Sequence, residues 1–138
     1  MSEKGPIEKK GERGKLLVVE DDVALARGLK RELECRGFEV HVESRGAGAL
    51  TYAAEKPLDL VILDLRLPDM SGYEVCKKMR QISQPWLIPV LMLTALGEPL
   101  DQLRGFAYGA DAYLTKPYDT VELLKTISRL LGEMPVNL

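Results

Sequence analysis

The sequence predicts an α/β domain with a doubly wound, five-stranded parallel sheet flanked by five helices. Short apolar runs, such as residues 60–63, stand between turn-forming residues, which is typical of strands buried on both faces. Patterns with apolar residues three or four positions apart follow these runs and indicate helices. Strand and helix alternate five times with short connections, and this order favours parallel strands with helices on both faces of the sheet.

The size and composition of the chain are those of one globular domain. The chain has 138 residues, of which 46% are apolar and 29% are charged. The net charge of −2 gives no reason to expect nucleic acid or an anionic membrane as a partner. No apolar run reaches the roughly 18 residues of a membrane-spanning helix, and the N-terminus has no apolar signal-peptide core. We therefore expect a cytoplasmic location, with Cys35 and Cys76 reduced and structural.

Both ends of the chain are predicted to lie outside the folded domain. Residues 1–14 are rich in lysine, glutamate and glycine, so burial cannot offset the entropy cost of ordering them. The sequence therefore predicts a flexible tail at residues 1–14, one folded domain at residues 15–132 and a C-terminal tail at residues 133–138.

The five predicted strands show two kinds of pattern. Four are short and mostly apolar, as expected for the interior of a parallel sheet. In the second strand Phe38, Val40 and Val42 alternate with polar residues, which predicts a half-buried strand near a sheet edge. The predicted strands cover residues 16–19, 38–43, 59–63, 89–93 and 110–114.

The predicted helices are placed by apolar stripes and by residues that start or stop helices. Gly37 and Pro57 end the first two helices. Pro99 suits the first turn of the fourth helix, and Asp119 with Glu122 forms an acidic variant of a capping box for the fifth. The clearest stripes are Leu25, Leu29 and Leu33; Val75, Cys76, Met79 and Ile82; and Leu123, Leu124, Ile127, Leu130 and Leu131.

Polar residues of complementary chemistry follow four of the predicted strands. Glu20 and Asp21 follow the first strand, Asp64 the third, Thr94 the fourth and Lys116 the fifth. Because parallel strands share one carboxyl edge, where ligands of α/β sheets bind, we expect these residues to converge. Clustered carboxylates suit Mg²⁺, and an aspartate can accept a phosphoryl group. An ammonium and a hydroxyl can stabilise charge that develops on the phosphoryl oxygens.

Each residue at this edge also has a structural interpretation. Asp22 is predicted to cap the following helix rather than to bind a ligand, and Glu20 and Asp21 could cap as well. Thr94 alone would be a turn residue, and Lys116 alone would be a solvated loop charge. The combination of residues from distant parts of the chain favours the functional interpretation.

The combination resembles the receiver domain of two-component response regulators. The resemblance covers about residues 15–131 and implies that residues 15–132 are a receiver domain with a flavodoxin-like sheet of strand order 2-1-3-4-5. Four separate segments in register make it more specific than any single short motif. These segments are VVEDD at 18–22, LDLRLPDMSG at 63–72, LTA at 93–95 and GADAYLTKPY at 109–118.

The resemblance implies a chemical role for each residue at the sheet edge. Asp64 would accept the phosphoryl group, and Lys116 would pair with the acceptor carboxylate or with the phosphoryl group. Mg²⁺ would be held by Asp64, Glu20, Asp21 and the backbone carbonyl of Arg66. The donor would be a sensor histidine kinase, a phosphotransfer protein or a small phosphodonor.

The resemblance also implies a conformational switch. Thr94 would bind a phosphoryl oxygen and change position on phosphorylation, and Tyr113 would turn inward as Thr94 moves. The Lys116–Pro117 bond would be cis. In this family the residues two positions after the acceptor and after the threonine tune hydrolysis. Here they are Arg66 and the apolar Leu96, which predict a moderately long-lived phosphorylated state.

The implied output is regulation of a downstream effector protein or domain through the face of the fourth helix, fifth strand and fifth helix. The chain would be a signalling switch rather than an enzyme with a separate substrate, and no direct contact with nucleic acid is expected of it. We expect a monomer or a phosphorylation-dependent homodimer. Asp101 fits the family's charged dimer contacts, but Ala112 and Thr126 replace an acid and an arginine. The alternatives are a phosphorylation-independent scaffold and a metal-dependent phosphatase or transferase.

Four remaining residues are predicted to be structural. His41 is expected to be solvated on an edge strand, and Trp86 to pack locally in a loop. Tyr73 and Phe106 lie in helical patterns and are expected to be packing residues.

Overall fold

Strands and helices alternate through the whole folded part of the chain. The computed structural model describes residues 11–82 and 88–133. Predicted strand bounds agree with the observed ones to within two residues. None of the helices in the described ranges is long and apolar enough to cross a bilayer. The elements are β1 (Gly14–Val19), α1 (Val23–Cys35), β2 (Phe38–Glu43), α2 (Gly46–Glu55), β3 (Leu60–Leu63), α3 (Gly72–Ile82), β4 (Val90–Thr94), α4 (Pro99–Ala107), β5 (Ala112–Thr115) and α5 (Thr120–Leu130).

The sheet has the strand order β2-β1-β3-β4-β5, and every neighbouring pair is parallel. This confirms the predicted doubly wound sheet of order 2-1-3-4-5 and the edge position of β2. The order reverses between β1 and β3, and at such a point the loops at the carboxyl ends of the strands diverge and leave a crevice.

Two apolar layers cover the two faces of the sheet. Successive side chains of a strand point to opposite faces, so Leu16 and Val18 of β1 pack with α1 and α5, whereas Leu17 and Val19 pack with α2 and α3. The alternation explains why the central strands are apolar at every position: each residue meets a helical layer on one side or the other.

Acidic side chains cap the helices on both sides of the sheet. Asp22 Oδ1 accepts a hydrogen bond from the Leu25 N–H at 3.1 Å. Asp119 Oδ1 accepts from the Val121 and Glu122 N–H groups at 2.7 and 3.1 Å. The prediction that Asp22 caps α1 is confirmed.

The fold begins slightly earlier than predicted. Gly14 belongs to β1, and the Arg13 guanidinium donates to both carboxylate oxygens of Glu133, at 3.1 and 2.5 Å. The same guanidinium lies 4.4 Å from the centre of the Phe38 ring. Arg13 and Gly14 of the predicted N-terminal tail and Glu133 of the predicted C-terminal tail are therefore held in place by the domain. Residues 1–10 and 134–138 of the predicted tails lie outside the described residues, as does the predicted packing of Trp86.

Three side chains have contacts or exposure that the sequence patterns did not specify. The His41 side chain is 40% exposed on the edge strand, but its ring is also stacked on Tyr52 at 3.8 Å between ring centres, and its Nε2 lies 2.6 Å from Glu43 Oε2. Phe106 was expected to pack, and its ring lies 6.4 Å from that of Tyr113, but the residue is 47% exposed. Cys35 is exposed on α1, whereas Cys76 is buried. These positions share one cause: a residue's place in a helix or strand does not fix which element covers it.

Candidate functional site

The carboxyl ends of β1, β3 and β5 bring Glu20, Asp64 and Lys116 together. The Lys116 ammonium donates to Glu20 Oε1 at 2.7 Å and to Asp64 Oδ2 at 2.9 Å. Both carboxylates are buried, with exposed fractions of 3% and 6%. Backbone hydrogen bonds hold Asp64 and Lys116 at the ends of their strands. The Asp64 N–H donates to the Val19 carbonyl at 3.0 Å, and the Lys116 N–H donates to the Thr94 carbonyl at 2.8 Å. The lysine therefore bridges two acids that are 44 residues apart in the chain.

The acidic residues predicted to bind a metal ion also converge. One carboxylate oxygen from each of Glu20, Asp21 and Asp64 lies within 4.8 Å of the others. The Asp21 side chain is exposed. Glu20 Oε2, the oxygen that Lys116 does not bind, accepts from the Asp22 N–H at 3.1 Å. Three anionic oxygens at the solvent boundary are a donor set that suits Mg²⁺, which prefers carboxylates and keeps several waters.

Burial and charge oppose each other within this cluster. Burial raises the pKa of Glu20 above its usual value, and the nearby Asp64 carboxylate adds to the effect, while the hydrogen bond from Lys116 acts against it. Burial alone would lower the pKa of Lys116, but its hydrogen bonds to Glu20 and Asp64 outweigh it, so the net pKa of Lys116 is raised. The ammonium is therefore positively charged at neutral pH and offsets part of the repulsion between the acids.

The Arg66 backbone lies next to Asp64 in the following loop. The Arg66 N–H donates to Asp64 Oδ1 at 3.3 Å, so the two Asp64 oxygens face different partners. The predicted use of the Arg66 carbonyl as a metal ligand remains a prediction.

Thr94 and Tyr113 both contact the peptide groups of Leu96. The Thr94 side chain is fully buried, and its hydroxyl oxygen accepts from the Leu96 N–H at 3.3 Å. The Tyr113 hydroxyl donates to the Leu96 carbonyl, and burial raises the pKa of Tyr113 to about 12. The two predicted switch residues are therefore joined through one residue of the β4–α4 loop. The Lys116–Pro117 bond is cis, as the resemblance implied.

Asp69 has a positioning contact that the sequence interpretation missed. Its Oδ1 and Oδ2 accept from the Gly46 and Ala47 N–H groups, at 2.8 and 2.9 Å, so the loop after Asp64 caps α2. Arg45, the residue before α2, makes no side-chain cap of its own. The sequence contained one signal for this contact. The arginine before α2 offers no side-chain acceptor, so the first N–H groups of α2 need acceptors from elsewhere in the chain.

The fold and the site together define a class of protein: a doubly wound α/β domain with a lysine-bridged acidic cluster at the switch point of its sheet. The family profile described as the response regulator receiver domain matches residues 16–128. The chain belongs to this family.

Named relatives agree with this assignment. Response regulator ArlR of Staphylococcus epidermidis is 42% identical over 120 residues, which cover 87% of this chain and 53% of the relative. The phosphate regulon transcriptional regulatory protein PhoB of Rhizobium meliloti is 44% identical over 117 residues, covering 85% of this chain and 52% of the relative. The chain thus spans about half the length of the curated relatives it matches.

Solved structures share the same fold. A putative response regulator from Chloroflexus aurantiacus aligns with a TM-score of 0.80 and 36% identity, covering 87% of this chain and 98% of that one. The receiver domain of sensor histidine kinase PA1611 from Pseudomonas aeruginosa aligns with a TM-score of 0.80 and 27% identity, over 87% of this chain and 98% of that one. That structure has a magnesium ion coordinated in the active-site cleft.

Proposed function

We propose that this chain is a phosphorylation-controlled signalling switch in which Asp64 accepts the phosphoryl group. The observation that carries the proposal is the Lys116 ammonium, which lies 2.9 Å from one oxygen of the nearly buried Asp64 carboxylate and 2.7 Å from Glu20. A carboxylate at the end of a buried strand, with a fixed positive charge beside it, is suited to nucleophilic attack on phosphorus. The neighbouring carboxylates offer the means of binding Mg²⁺.

The donor we propose is the phosphohistidine of a sensor histidine kinase or a phosphotransfer protein, or a small acyl phosphate. An Asp64 oxygen forms a bond to phosphorus while the phosphorus–nitrogen bond of phosphohistidine breaks. The leaving imidazole takes up a proton, and Asp64 becomes an acyl phosphate. The reaction modifies the chain itself, so the domain acts as a signalling protein without a separate substrate.

The residues around Asp64 would each stabilise the charge of the phosphoryl group in a different way. Glu20, Asp21, Asp64 and the Arg66 carbonyl would hold Mg²⁺, which supplies positive charge to the phosphoryl oxygens when bound. Lys116 contributes a second, permanent positive charge, because its raised pKa keeps it protonated. The Thr94 hydroxyl would donate to a phosphoryl oxygen.

The output we propose is a change in the face formed by α4, β5 and α5. If the Thr94 hydroxyl turns towards the phosphoryl group, it leaves the Leu96 N–H, and Tyr113 senses the change through the Leu96 carbonyl. The partner would be a downstream effector protein or domain, as the names of the relatives suggest, and this chain itself would make no contact with nucleic acid. We place the protein in the cytoplasm.

The proposed assembly state is a monomer or a phosphorylation-dependent homodimer. Ala112 and Thr126 stand where the family resemblance implies charged dimer contacts, and both are buried in this fold. The Thr126 hydroxyl donates to the Glu122 carbonyl within its own helix. The charge network of such a dimer is therefore incomplete in this chain, which favours a monomer before phosphorylation.

Treatment with acetyl phosphate tests the proposed acceptor. The wild type, Asp64→Asn and Asp69→Asn would be incubated with acetyl phosphate and Mg²⁺ and read by intact mass. Asp69→Asn is the matched control, because it removes an exposed carboxylate of the same loop while its amide oxygen can still cap α2. We expect one added phosphoryl group in the wild type and in Asp69→Asn, none in Asp64→Asn, and none in the wild type when EDTA replaces Mg²⁺. A folded wild type that gains no phosphoryl group would instead favour a phosphorylation-independent scaffold.

A further inference from the structure

Tyr73 follows directly on the loop that carries Asp64. It occupies the first turn of α3, one residue after Gly72. The Gly72 N–H donates to the Leu65 carbonyl at 2.9 Å, and a Cβ added at Gly72 would collide with the backbone carbonyl of Asp64. The start of α3 is therefore pressed against the backbone of the acceptor residue. A displacement of that backbone would move Tyr73 with it.

The Tyr73 side chain reaches across to α4 and β5. Its hydroxyl donates to the Asp101 carbonyl in the first turn of α4 at 3.1 Å. The Tyr73 and Tyr113 side chains also lie close enough for each to shift the pKa of the other. The Tyr73 ring lies 5.4 Å from the Tyr108 ring, and the Arg104 guanidinium lies 5.7 Å from the Tyr73 ring centre. One side chain thus joins the start of α3, both ends of α4 and the proposed switch tyrosine.

Few other contacts fix α4 on the domain. Gly105 is its only buried residue, whereas Leu100 and Leu103 are 65% and 66% exposed. Elements with little buried apolar surface open and shift at low free-energy cost. The hydrogen bond from Tyr73 to the first turn of α4 is therefore a large share of the contacts that hold α4 in place.

We propose that Tyr73 is a positioning residue that couples the acceptor loop to α4 through its hydroxyl, a role that rests on the proposed function of Asp64. This connection runs from the β3–α3 loop through α3. It is separate from the one through Thr94 and Leu96, which runs along the β4–α4 loop. The two connections meet at Tyr113, whose hydroxyl donates to the Leu96 carbonyl and whose pKa is shifted by the neighbouring Tyr73. Burial raises the pKa of both tyrosines above 10, so both hydroxyls keep their protons as donors at neutral pH.

Hydrogen–deuterium exchange of the α4 amides tests the coupling in the full chain. The variants are Tyr73→Phe, which keeps the ring and removes the hydroxyl, and Tyr108→Phe as the control. Tyr108 has a partly exposed ring on the same cluster, and among the described residues its hydroxyl has no hydrogen-bond partner. Each protein would be measured without a phosphodonor and with acetyl phosphate and Mg²⁺, and intact mass would give the phosphorylated fraction of each sample.

We expect the α4 amides of unphosphorylated Tyr73→Phe to exchange about fivefold faster than in the wild type, the factor for one net hydrogen bond. On phosphorylation, the change in α4 exchange should be at least halved in Tyr73→Phe relative to its own unphosphorylated state. Mere loosening of the fold would raise exchange generally without reducing that response. Tyr108→Phe should behave as the wild type, and all three proteins should be phosphorylated to the same extent.

Three outcomes would overturn the coupling role. They are an unaltered α4 response in Tyr73→Phe, an equal loss of response in Tyr108→Phe, and a loss that accompanies reduced phosphorylation of Asp64. Failure of the wild type to gain a phosphoryl group would instead overturn the proposed function. In that case the fivefold difference between the unphosphorylated proteins still decides whether Tyr73 positions α4.

Discussion

Replacement of Lys116 by methionine tests whether the ammonium holds the two buried carboxylates together. Lys116→Met keeps most of the unbranched side chain, which becomes one atom shorter, but removes the donor that lies 2.7 and 2.9 Å from Glu20 and Asp64. At these separations each attraction is about 6 kcal/mol with an effective dielectric near 20, before desolvation is subtracted. Removing one partner from a buried ion pair costs about 3–5 kcal/mol in net stability. The Lys116 side chain is 20% exposed, so we expect the lower end, about 3 kcal/mol.

Urea unfolding in EDTA measures this loss directly. With a slope of about 2 kcal/mol per molar urea, the midpoint of Lys116→Met should fall by about 1.5 M. Excess Mg²⁺ should narrow the difference, because a bound cation restores positive charge beside the acids and stabilises only the folded state. Asp64→Asn is the control: it leaves the Lys116–Glu20 pair intact and removes one repelling charge, so its stability should stay within about 1 kcal/mol of the wild type.

Two results would refute this account of the site. One is a Lys116→Met midpoint in EDTA that equals that of the wild type, which would mean that water already screens the carboxylates. The other is a loss in Asp64→Asn as large as in Lys116→Met, which would mean that packing rather than charge is responsible.

Two further predictions concern glycines and a terminal ion pair. Gly28→Ala in α1 should stabilise the protein by about 0.5–1 kcal/mol, because a Cβ there meets no atom within 4 Å. Gly46→Ala should instead destabilise the protein, because the added Cβ would lie 2.5 Å from Met70 Cγ. Urea midpoints of Gly28→Ala and Gly46→Ala that shift in the same direction would contradict these two expectations. Hydrogen bonds from Arg13 lower the pKa of Glu133 below 4.5, so this contact contributes stability above pH 4.5 that is lost as the pH falls through the lowered value. Melting temperatures should therefore fall more steeply below pH 4.5 for the wild type than for Glu133→Gln, and parallel curves would contradict this.

The sheet and the meeting of charged residues could be predicted because both follow from periodic patterns. Apolar runs identify buried strands, and the residue after each run lies at the shared carboxyl edge. Glu20, Asp64 and Lys116 could be placed together on this basis from the sequence alone. The start of β5 was predicted two residues early, because Ala110 is apolar and buried but lies before the strand, which begins at Ala112.

Contacts between side chains of different elements could not be predicted in the same way. Asp69 caps α2 from 23 residues away, and Tyr73 donates to the backbone of α4 from 28 residues away. Neither contact leaves a repeat in the sequence, because each depends on the distance between two packed helices and loops. The stacking of His41 on Tyr52 is another case, in which an edge strand is partly covered by its neighbouring helix.

Charge at the sheet edge links the proposed chemistry to the proposed switch. With all four groups ionised, three carboxylates and the Lys116 ammonium give a local charge of −3 + 1 = −2, which one divalent cation would balance. A phosphoryl group carries about −1.5 to −2 at neutral pH, so its arrival replaces one carboxylate charge with a larger one and demands further donors. The Thr94 hydroxyl is the nearby neutral donor, but in the present arrangement its oxygen accepts from the Leu96 N–H. Recruiting it would therefore change the contacts of Leu96, the residue whose carbonyl Tyr113 binds, and this would give the added charge a direct route to the α4–β5 surface.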